Sequence, residues 1–366
     1  MLIEPSKTSS DLNVLLDAFP TIRFATAGDA GPLADFINSS VMTTTHLQIG
    51  FTRGDDYFSL LRLQGEKYAT LICEENGKIE AIGALTLRKA FVRGKKQTVG
   101  YLQDLRVSSS APQKTRVQFY KFFAEFIRIC PSLPEFDHCA LFLTAILEGN
   151  VAAKAALSRA AFPLEYTRLA HYTAYTWPRL PGTLMPQLLV REKTNISKDE
   201  LMSFYRKQFG PFAFDLTTDD IERVWNHSHP IIIQTSRQLQ AACLLVQTDS
   251  ERCLKMGLNG LRHKFDGTGR YIFALRVAKQ SSPQADRKLK NTLIHKALLT
   301  SLRMPGLFTG FVSDSVHGLS RPLNMSSIQV KGSLYRVHHP EHTRLKGFSD
   351  GFLRPSHTPA LEWVFM

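Results

Sequence analysis

A few residues in this chain have types and spacings that could do chemistry. Asp104 stands inside Val99–Val107 (VGYLQDLRV), a run of strand-forming residues, and is a candidate general base. Its plainer role is a surface position, or an ion pair with Arg106 or with a neighbouring strand. Lys114 and Arg116 flank the start of an apolar-rich segment and could hold a phosphate by charge, or simply solvate a helix end. Asn150 precedes an Ala-rich stretch, where it suits a helix N-cap or a ligand contact. His338, His339 and His342 lie close together, but only Glu341 accompanies them, so a polar loop is the simpler reading than a metal site. The five cysteines (Cys73, Cys130, Cys139, Cys243, Cys253) form no CxxC pair, which points to reduced core thiols rather than disulfides or a zinc knuckle. P-loop, dinucleotide-fingerprint, GxSxG and HExxH motifs are absent from the sequence.

The elements that must position these residues follow from periodicity. Thr21–Ala27 reads as a strand, followed by a helix that Asp29 would cap. Asp55–Leu63 is a short helix. Tyr68–Cys73 and Ile79–Leu87 are strands, and Asn76-Gly77 between them is a strong hairpin signal. Val99–Val107 is the next strand. Thr115–Cys130 is a helix, with Val117, Tyr120, Phe123 and Ile127 on one side. Ala140–Ala145 is a strand, Asn150–Ala161 a helix, and Tyr166–Trp177 one bent strand or two short ones.

This order, with YLQDLRV before the long helix and TAILEGNVAAKAALSRAAF after it, resembles the GNAT superfamily of acyl-CoA-dependent N-acyltransferases over residues 20–180. Asn150, Ala153 and Phe162 fall at the family's spacing. The resemblance implies an α/β (α+β) fold in which Val99–Val107 and Ala140–Ala145 splay apart. Backbone amides near Leu105, Arg106 and Val107 would then meet pantetheine and the thioester. The helix start, through Lys114, Thr115, Arg116, Val117 and Gln118, would meet the pyrophosphate, and Asn150 would touch the cofactor. Four positions depart from the family. Thr115 and Val117 replace glycines of the pyrophosphate loop, Leu157 replaces a proton-donating tyrosine, and Ala161 replaces a glycine. Tyr101 and Tyr166 are the candidates to supply the missing proton donor, with Ser158 adjacent but turned elsewhere.

The second half repeats the order after a proline-rich boundary at Pro178–Gln187. Leu188–Glu192 reads as a strand. Ser197–Gln208 and Thr217–Trp225 read as helices with capping boxes. Ile231–Thr235, Leu239–Gln247 and Tyr271–Val277 are strands, Pro283–Ser301 a long helix, and Leu307–Val312, Gly332–Val337 and Leu361–Phe365 the last strands. YLQDLRV and YIFALRV stand 170 residues apart, each followed by a Ser-containing loop, Pro-Gln and a helix. We read a degenerate tandem duplication: residues 1–180 the better candidate for catalysis, residues 181–366 a second GNAT-like copy shaping the acceptor cleft.

Length, 366 residues, accommodates two such domains. Net charge is +13, of which +3 lies in residues 1–180 (20 Lys+Arg, 17 Asp+Glu) and +10 in residues 181–366 (25 and 15). No apolar run reaches the length of a membrane span and no secretory signal is evident, so a cytoplasmic location without membrane is expected. The function expected is transfer of an acyl group, acetyl by the superfamily's habit, from acetyl-CoA or another acyl-CoA to a small-molecule or peptide amine, without a metal. The alternatives are a non-catalytic GNAT-like binding protein and an aminoacyl-tRNA-dependent transferase on a doubled scaffold, the latter predicting a continuous basic surface. Nucleic acid is otherwise a minor expectation.

Overall fold

The computed structural model describes residues 1–3, 9–39, 41–43, 47–92, 94–157, 163–178, 196–209, 214–235, 238–247, 253–258, 264–280, 282–302, 304, 308–314 and 319–341. Helix α1 (Ser10–Ala18) opens the chain, followed by β1 (Ile22–Phe24), α2 (Ala30–Asn38), and the hairpin β2 (Val41–Thr43) and β3 (Leu47–Thr52). Helix α3 (Phe58–Gln64) leads into β4 (Lys67–Glu75), β5 (Lys78–Val92) and β6 (Lys95–Val107). Then come α4 (Gln113–Ile129), β7 (Phe142–Leu147), α5 (Val151–Leu157) and β8 (Glu165–Pro178). The remainder comprises α6 (Lys198–Gln208), α7 (Thr218–Val224), β9 (Ser228–Thr235), β10 (Gln238–Gln247), β11 (Cys253–Leu258) and β12 (Lys264–Val277). It ends with α8 (Pro283–Ser301), β13 (Phe308–Asp314), α9 (Arg321–Met325) and β14 (Ile328–His338).

Several local signals act as expected. Asn76 and Gly77 both take positive φ (52° and 72°) and turn β4 into β5, with Glu75 opposite Lys78. Ser197 with Glu200 and Thr217 with Asp220 close capping boxes at the starts of α6 and α7. Tyr166–Trp177 belongs to one strand, β8. Asp29 differs. Its carboxylate does not cap α2; it accepts from Thr26 at the preceding turn and pairs with Arg23 at 2.8 Å. Strands β5 and β6 also extend beyond the expected ends, and α1, the β2–β3 hairpin and β11 are additional elements. The expected strands Leu188–Glu192 and Leu361–Phe365, and the boundary beyond Pro178, lie outside the described residues.

Among the described residues fourteen strands join in one mostly antiparallel sheet, ordered β1-β4-β5-β6-β7-β14-β8-β13-β12-β11-β3-β2, with β10 on β12 and β9 on β10. Two parallel pairs interrupt it, β6–β7 and β12–β13, each spanned by a long helix, α4 or α8. The duplication is thus present in the backbone. The copies are also interleaved: β14 from the end of the chain lies between β7 and β8, while β8 pairs with β13. At the far edge β3 pairs with β11.

Helix α4 packs Phe119, Phe122, Phe123 and Phe126 on one face of the sheet with Phe24, Leu102 and Phe142. Rings of Phe126 and Phe136 meet edge-on, 5.1 Å apart. Helix α8 packs Leu293, Ile294 and Ala297 against Ala241, Cys243 and Leu245. Between the copies, α6 and α7 bury Leu201, Tyr205 and Ile221 against Tyr101, Leu143 and Phe273. Cys73, Cys130, Cys139 and Cys243 are buried free thiols.

Candidate functional site

The site is built where two parallel strands stop being partners. Strands β6 and β7 pair only at Gly100↔Phe142 and Tyr101↔Leu143. Gly100 permits this approach, since a Cβ there would stand 2.7 Å from the Phe142 ring. One further link follows: Thr144 Oγ1 donates to the Leu102 carbonyl at 2.9 Å. Beyond it β6 stays with β5, and β7 stays with β14 as far as Leu147↔Gly332. No strand among the described residues pairs with the β7-facing edge of β6 past Tyr101. The result is a V, closed at Tyr101 and open toward Leu105, Arg106 and Val107.

A β-bulge shapes the open arm. Ala84 pairs with Gln103 and Ile82 with Arg106, so β6 carries one extra residue there. Asp104 sits at the bulge with φ of 51°. Its carboxylate is 2.7 Å from Arg53 Nη2 and accepts from the Tyr57 hydroxyl at 3.2 Å. Burial works to raise its pKa, but Arg53, Arg106 and the two hydrogen bonds outweigh it and hold the carboxyl below the usual range. Arg106 is itself held by the Ile37 carbonyl at 3.4 Å, and burial pushes its pKa down while Asp104 opposes that.

At the open end of the V lies the N-terminus of α4. Pro112 precedes it and no side chain caps it, nor does its first turn contain an acid. The Arg116 amide bonds the Pro112 carbonyl, so the amides of Gln113, Lys114 and Thr115 come before the first helical hydrogen bond. The Arg116 side chain folds back and donates to the carbonyls of Ala111, Ser108 and Ser109 at 2.9, 2.8 and 2.8 Å, gathering the β6–α4 loop. Thr115 is buried and donates to Glu75 at 2.6 Å. Lys114 is exposed, and Val117 and Gln118 are half-buried on α4.

The remaining expected residues fall as follows. Asn150 Oδ1 accepts from the Ala153 amide at 3.0 Å, a helix N-cap for α5. Tyr101 is buried in the core between the copies. Burial, with Tyr120 nearby, pushes the Tyr166 phenol far up, so it holds its proton tightly. Residues Ser158, Ala161 and Phe162, and the Leu157 side chain, lie outside the described residues. His338 pairs with Glu165 at 2.8 Å and His339 Nδ1 accepts the Glu341 amide at 3.3 Å; His342 lies outside the described residues. Among the described residues no group of His, Cys, Asp or Glu could hold a metal ion, and no helix is long and apolar enough to cross a membrane. Arg53 and Tyr57 escaped the sequence reading, because nothing in spacing links them to a carboxylate about fifty positions on.

The second copy is built differently at the matching place. Ser282 caps α8 by accepting from the Ala285 amide at 3.2 Å, and Asp286 in its first turn accepts from the Gln280 amide at 2.9 Å. That helix end is capped by its own serine and carries an acid in its first turn; α4 has no side-chain cap and no acid in its first turn, although the Glu75 carboxylate of β4 meets the Thr115 hydroxyl.

The whole-chain architecture has known counterparts. A crystal structure of Saccharomyces cerevisiae N-myristoyltransferase with bound myristoyl-CoA aligns with TM-score 0.55 at 11% identity, over 92% of this chain and 86% of that one. The chain has a tandem GNAT-like fold. A second structure of the yeast enzyme with myristoyl-CoA gives the same score and identity over 92% and 82%. A third, with myristoyl-CoA and inhibitors, aligns over 98% of this chain and 88% of that one, again at 0.55 and 11%. No protein-family model and no curated protein matches the sequence.

Proposed function

We propose that the chain transfers an acyl group from an acyl-CoA to the amine of a small molecule or peptide. The observation that carries this is the split between β6 and β7 with the uncapped start of α4 at its mouth. Pantetheine would lie in the V and bond the unpaired edge of β6 near Leu105 and Val107. The pyrophosphate would meet the amides of Gln113, Lys114 and Thr115, helped by the Lys114 charge. The amine nitrogen attacks the thioester carbonyl; the N–C bond forms, the C–S bond breaks, and the amine's surplus proton ends on the departing CoA thiolate. The β6 amides would stabilise the oxygen as its charge develops. Asp104 is placed in this reading as an ionised partner of Arg53, too weakly basic to take the amine proton. The second copy contributes the acceptor side.

Two features support the yeast enzymes' kind of donor as a test ligand beside acetyl-CoA: the shared tandem fold, and the myristoyl-CoA held in those structures. Incubation with acetyl-, octanoyl- or myristoyl-CoA and a panel of amine-terminated peptides, read by thiol release and product mass, tests the reaction. Thiol release coupled to amide formation supports it.

A second reading, a binding module without turnover, is favoured by Thr115 and Asp104. The former is committed to Glu75 where the superfamily has glycine, and the latter to Arg53. It predicts acyl-CoA binding with no thiol release for any acceptor.

A further inference from the structure

The bulge in β6 is not left to the backbone alone. A non-glycine residue at positive φ inside a strand is disfavoured, and persists only where its surroundings hold it. At Asp104 they do so with a buried ion pair: the Arg53 side chain is 4% exposed and that of Asp104 11%. Tyr57, fully buried, donates to the same carboxylate oxygen, and the Arg53 guanidinium lies 5.7 Å from the Tyr57 ring centre. Arg53 is in turn fixed through its backbone. Its amide donates to Asn38 Oδ1 at 2.8 Å, and its carbonyl accepts from Asn38 Nδ2 at 3.4 Å. It directly follows β3, whose last residue Thr52 pairs with Cys253 of β11 in the second copy. The corresponding bulge in β12 has Ala274 at the same φ, 51°, with no side chain that could be gripped in this way.

We propose that Arg53 and Asp104, with Tyr57, are positioning residues that set the β6 bulge and so aim the β7-facing amides of Leu105 and Val107 at the thioester carbonyl. This rests on the acyl-CoA reading above. The pair touches neither donor nor acceptor. It holds the strand that does, and it ties that strand to the end of the β2–β3 hairpin, whose β3 pairs with β11 of the second copy. The copy that keeps an open helix end also keeps the lock; the copy whose helix end is self-capped has Ala274 in its place.

The test uses the full chain and three variants: Asp104→Asn, Asp104→Ala, and Arg53→Met with Asp104→Ala. Asparagine keeps the tolerance for positive φ and removes the charge. The double variant removes Arg53 together with Asp104, so among the described residues the only cation left beside the bulge is Arg106, which keeps its bond to the Ile37 carbonyl. Each is titrated with CoA, and the carbonyl stretch of bound carbonyl-labelled acetyl-CoA and myristoyl-CoA is recorded by difference infrared spectroscopy. In the wild type the band moves to lower frequency on binding, the mark of a polarised thioester. The variants are expected to bind CoA within about threefold of wild type, to lose most of the band shift, and to turn over at least about tenfold more slowly, the scale of a misplaced oxyanion donor. A purely structural role would lower the melting temperature and leave the band where it is. An unchanged band and unchanged turnover in Asp104→Asn and the double variant overturn the proposal. If the wild type binds neither acyl-CoA, the functional reading itself fails and this one with it.

Discussion

Asp104 and Ala274 occupy the same place in two copies of one motif. Each is the extra residue of a β-bulge in the strand preceding a long helix, each has φ of 51°, and they stand 170 residues apart. Around them the copies diverge. Asp104 is gripped by Arg53, whereas two residues beyond Ala274 a buried Arg276 pairs with Asp215 and lies 5.3 Å from the Phe209 ring centre. The backbone has been kept and the charges rearranged.

That comparison predicts how the first copy responds to truncation. Asp104→Ala leaves a conformation that alanine already adopts at position 274, but strands the Arg53 charge in the interior. The cost should be about 3 kcal/mol, and Arg53→Met added to it should recover most of that loss. Urea unfolding of the single and double variants measures both. A double variant no more stable than Asp104→Ala would mean that Arg53 is not the stranded charge.

The loop entering α4 should depend on Arg116 more than on Lys114. Arg116 holds three loop carbonyls, so Arg116→Ala is expected to weaken CoA binding about tenfold by releasing the loop. Lys114→Ala removes only an exposed charge and should cost about threefold at low salt, fading as salt rises. Ser282→Ala, at the helix of the second copy, should lower stability by about 1 kcal/mol and leave CoA affinity unchanged. Titrations at two ionic strengths separate the three.

Strand β14 can enter between β7 and β8 because Gly332 leaves room for Tyr172. A Cβ on Gly332 would stand 2.2 Å from the phenol oxygen of Tyr172, a buried ring with no space to retreat. Gly332→Ala should therefore destabilise by about 1–3 kcal/mol. At Gly77 a Cβ meets nothing within 4 Å, and only its φ of 72° resists alanine. There the cost should be about 1 kcal/mol. Thermal unfolding of both variants checks the contrast.

Acid should expose the role of Asp29. Hydrogen bonds from Arg23 lead the causes that bring its pKa down to about 2, against burial, with Thr26 adding to them. A folded-state pKa below the unfolded one contributes stability above about pH 4, which is lost as pH falls toward 2. Arg23 is 42% exposed, so solvent screening reduces this contribution to about 1 kcal/mol. Asp29→Asn should remove it, flattening that part of the stability curve measured between pH 5 and pH 2.

Local chemistry was readable in the sequence; choice of partner was not. The Asn76-Gly77 turn, the capping boxes at Ser197 and Thr217, and the paired YLQDLRV and YIFALRV strands are each written within a few residues. Their physics is local. Alternation along Gly332–Val337 shows a strand, but which strands flank it depends on the whole sheet, so the insertion of β14 between β7 and β8 had no short-range signal. Likewise the sequence offers Asp104 an ion pair with Arg106 or a neighbouring strand, but not with Arg53, which arrives from another loop. The ends of β5 and β6 were missed because Arg88, Lys89, Lys95 and Lys96 look like turn or surface residues. Arg88 instead is buried against Asp220 at 3.0 Å, a partner more than a hundred residues away.

The most direct test of the acyl-CoA site is calorimetric titration of the full chain with CoA, acetyl-CoA and myristoyl-CoA, alongside the Arg116→Ala variant. One site per chain is predicted, with at least one acyl-CoA bound at micromolar concentration and binding weakened by Arg116→Ala. No heat at millimolar ligand, or undiminished affinity in the variant, would contradict the placement of an acyl-CoA between β6 and β7.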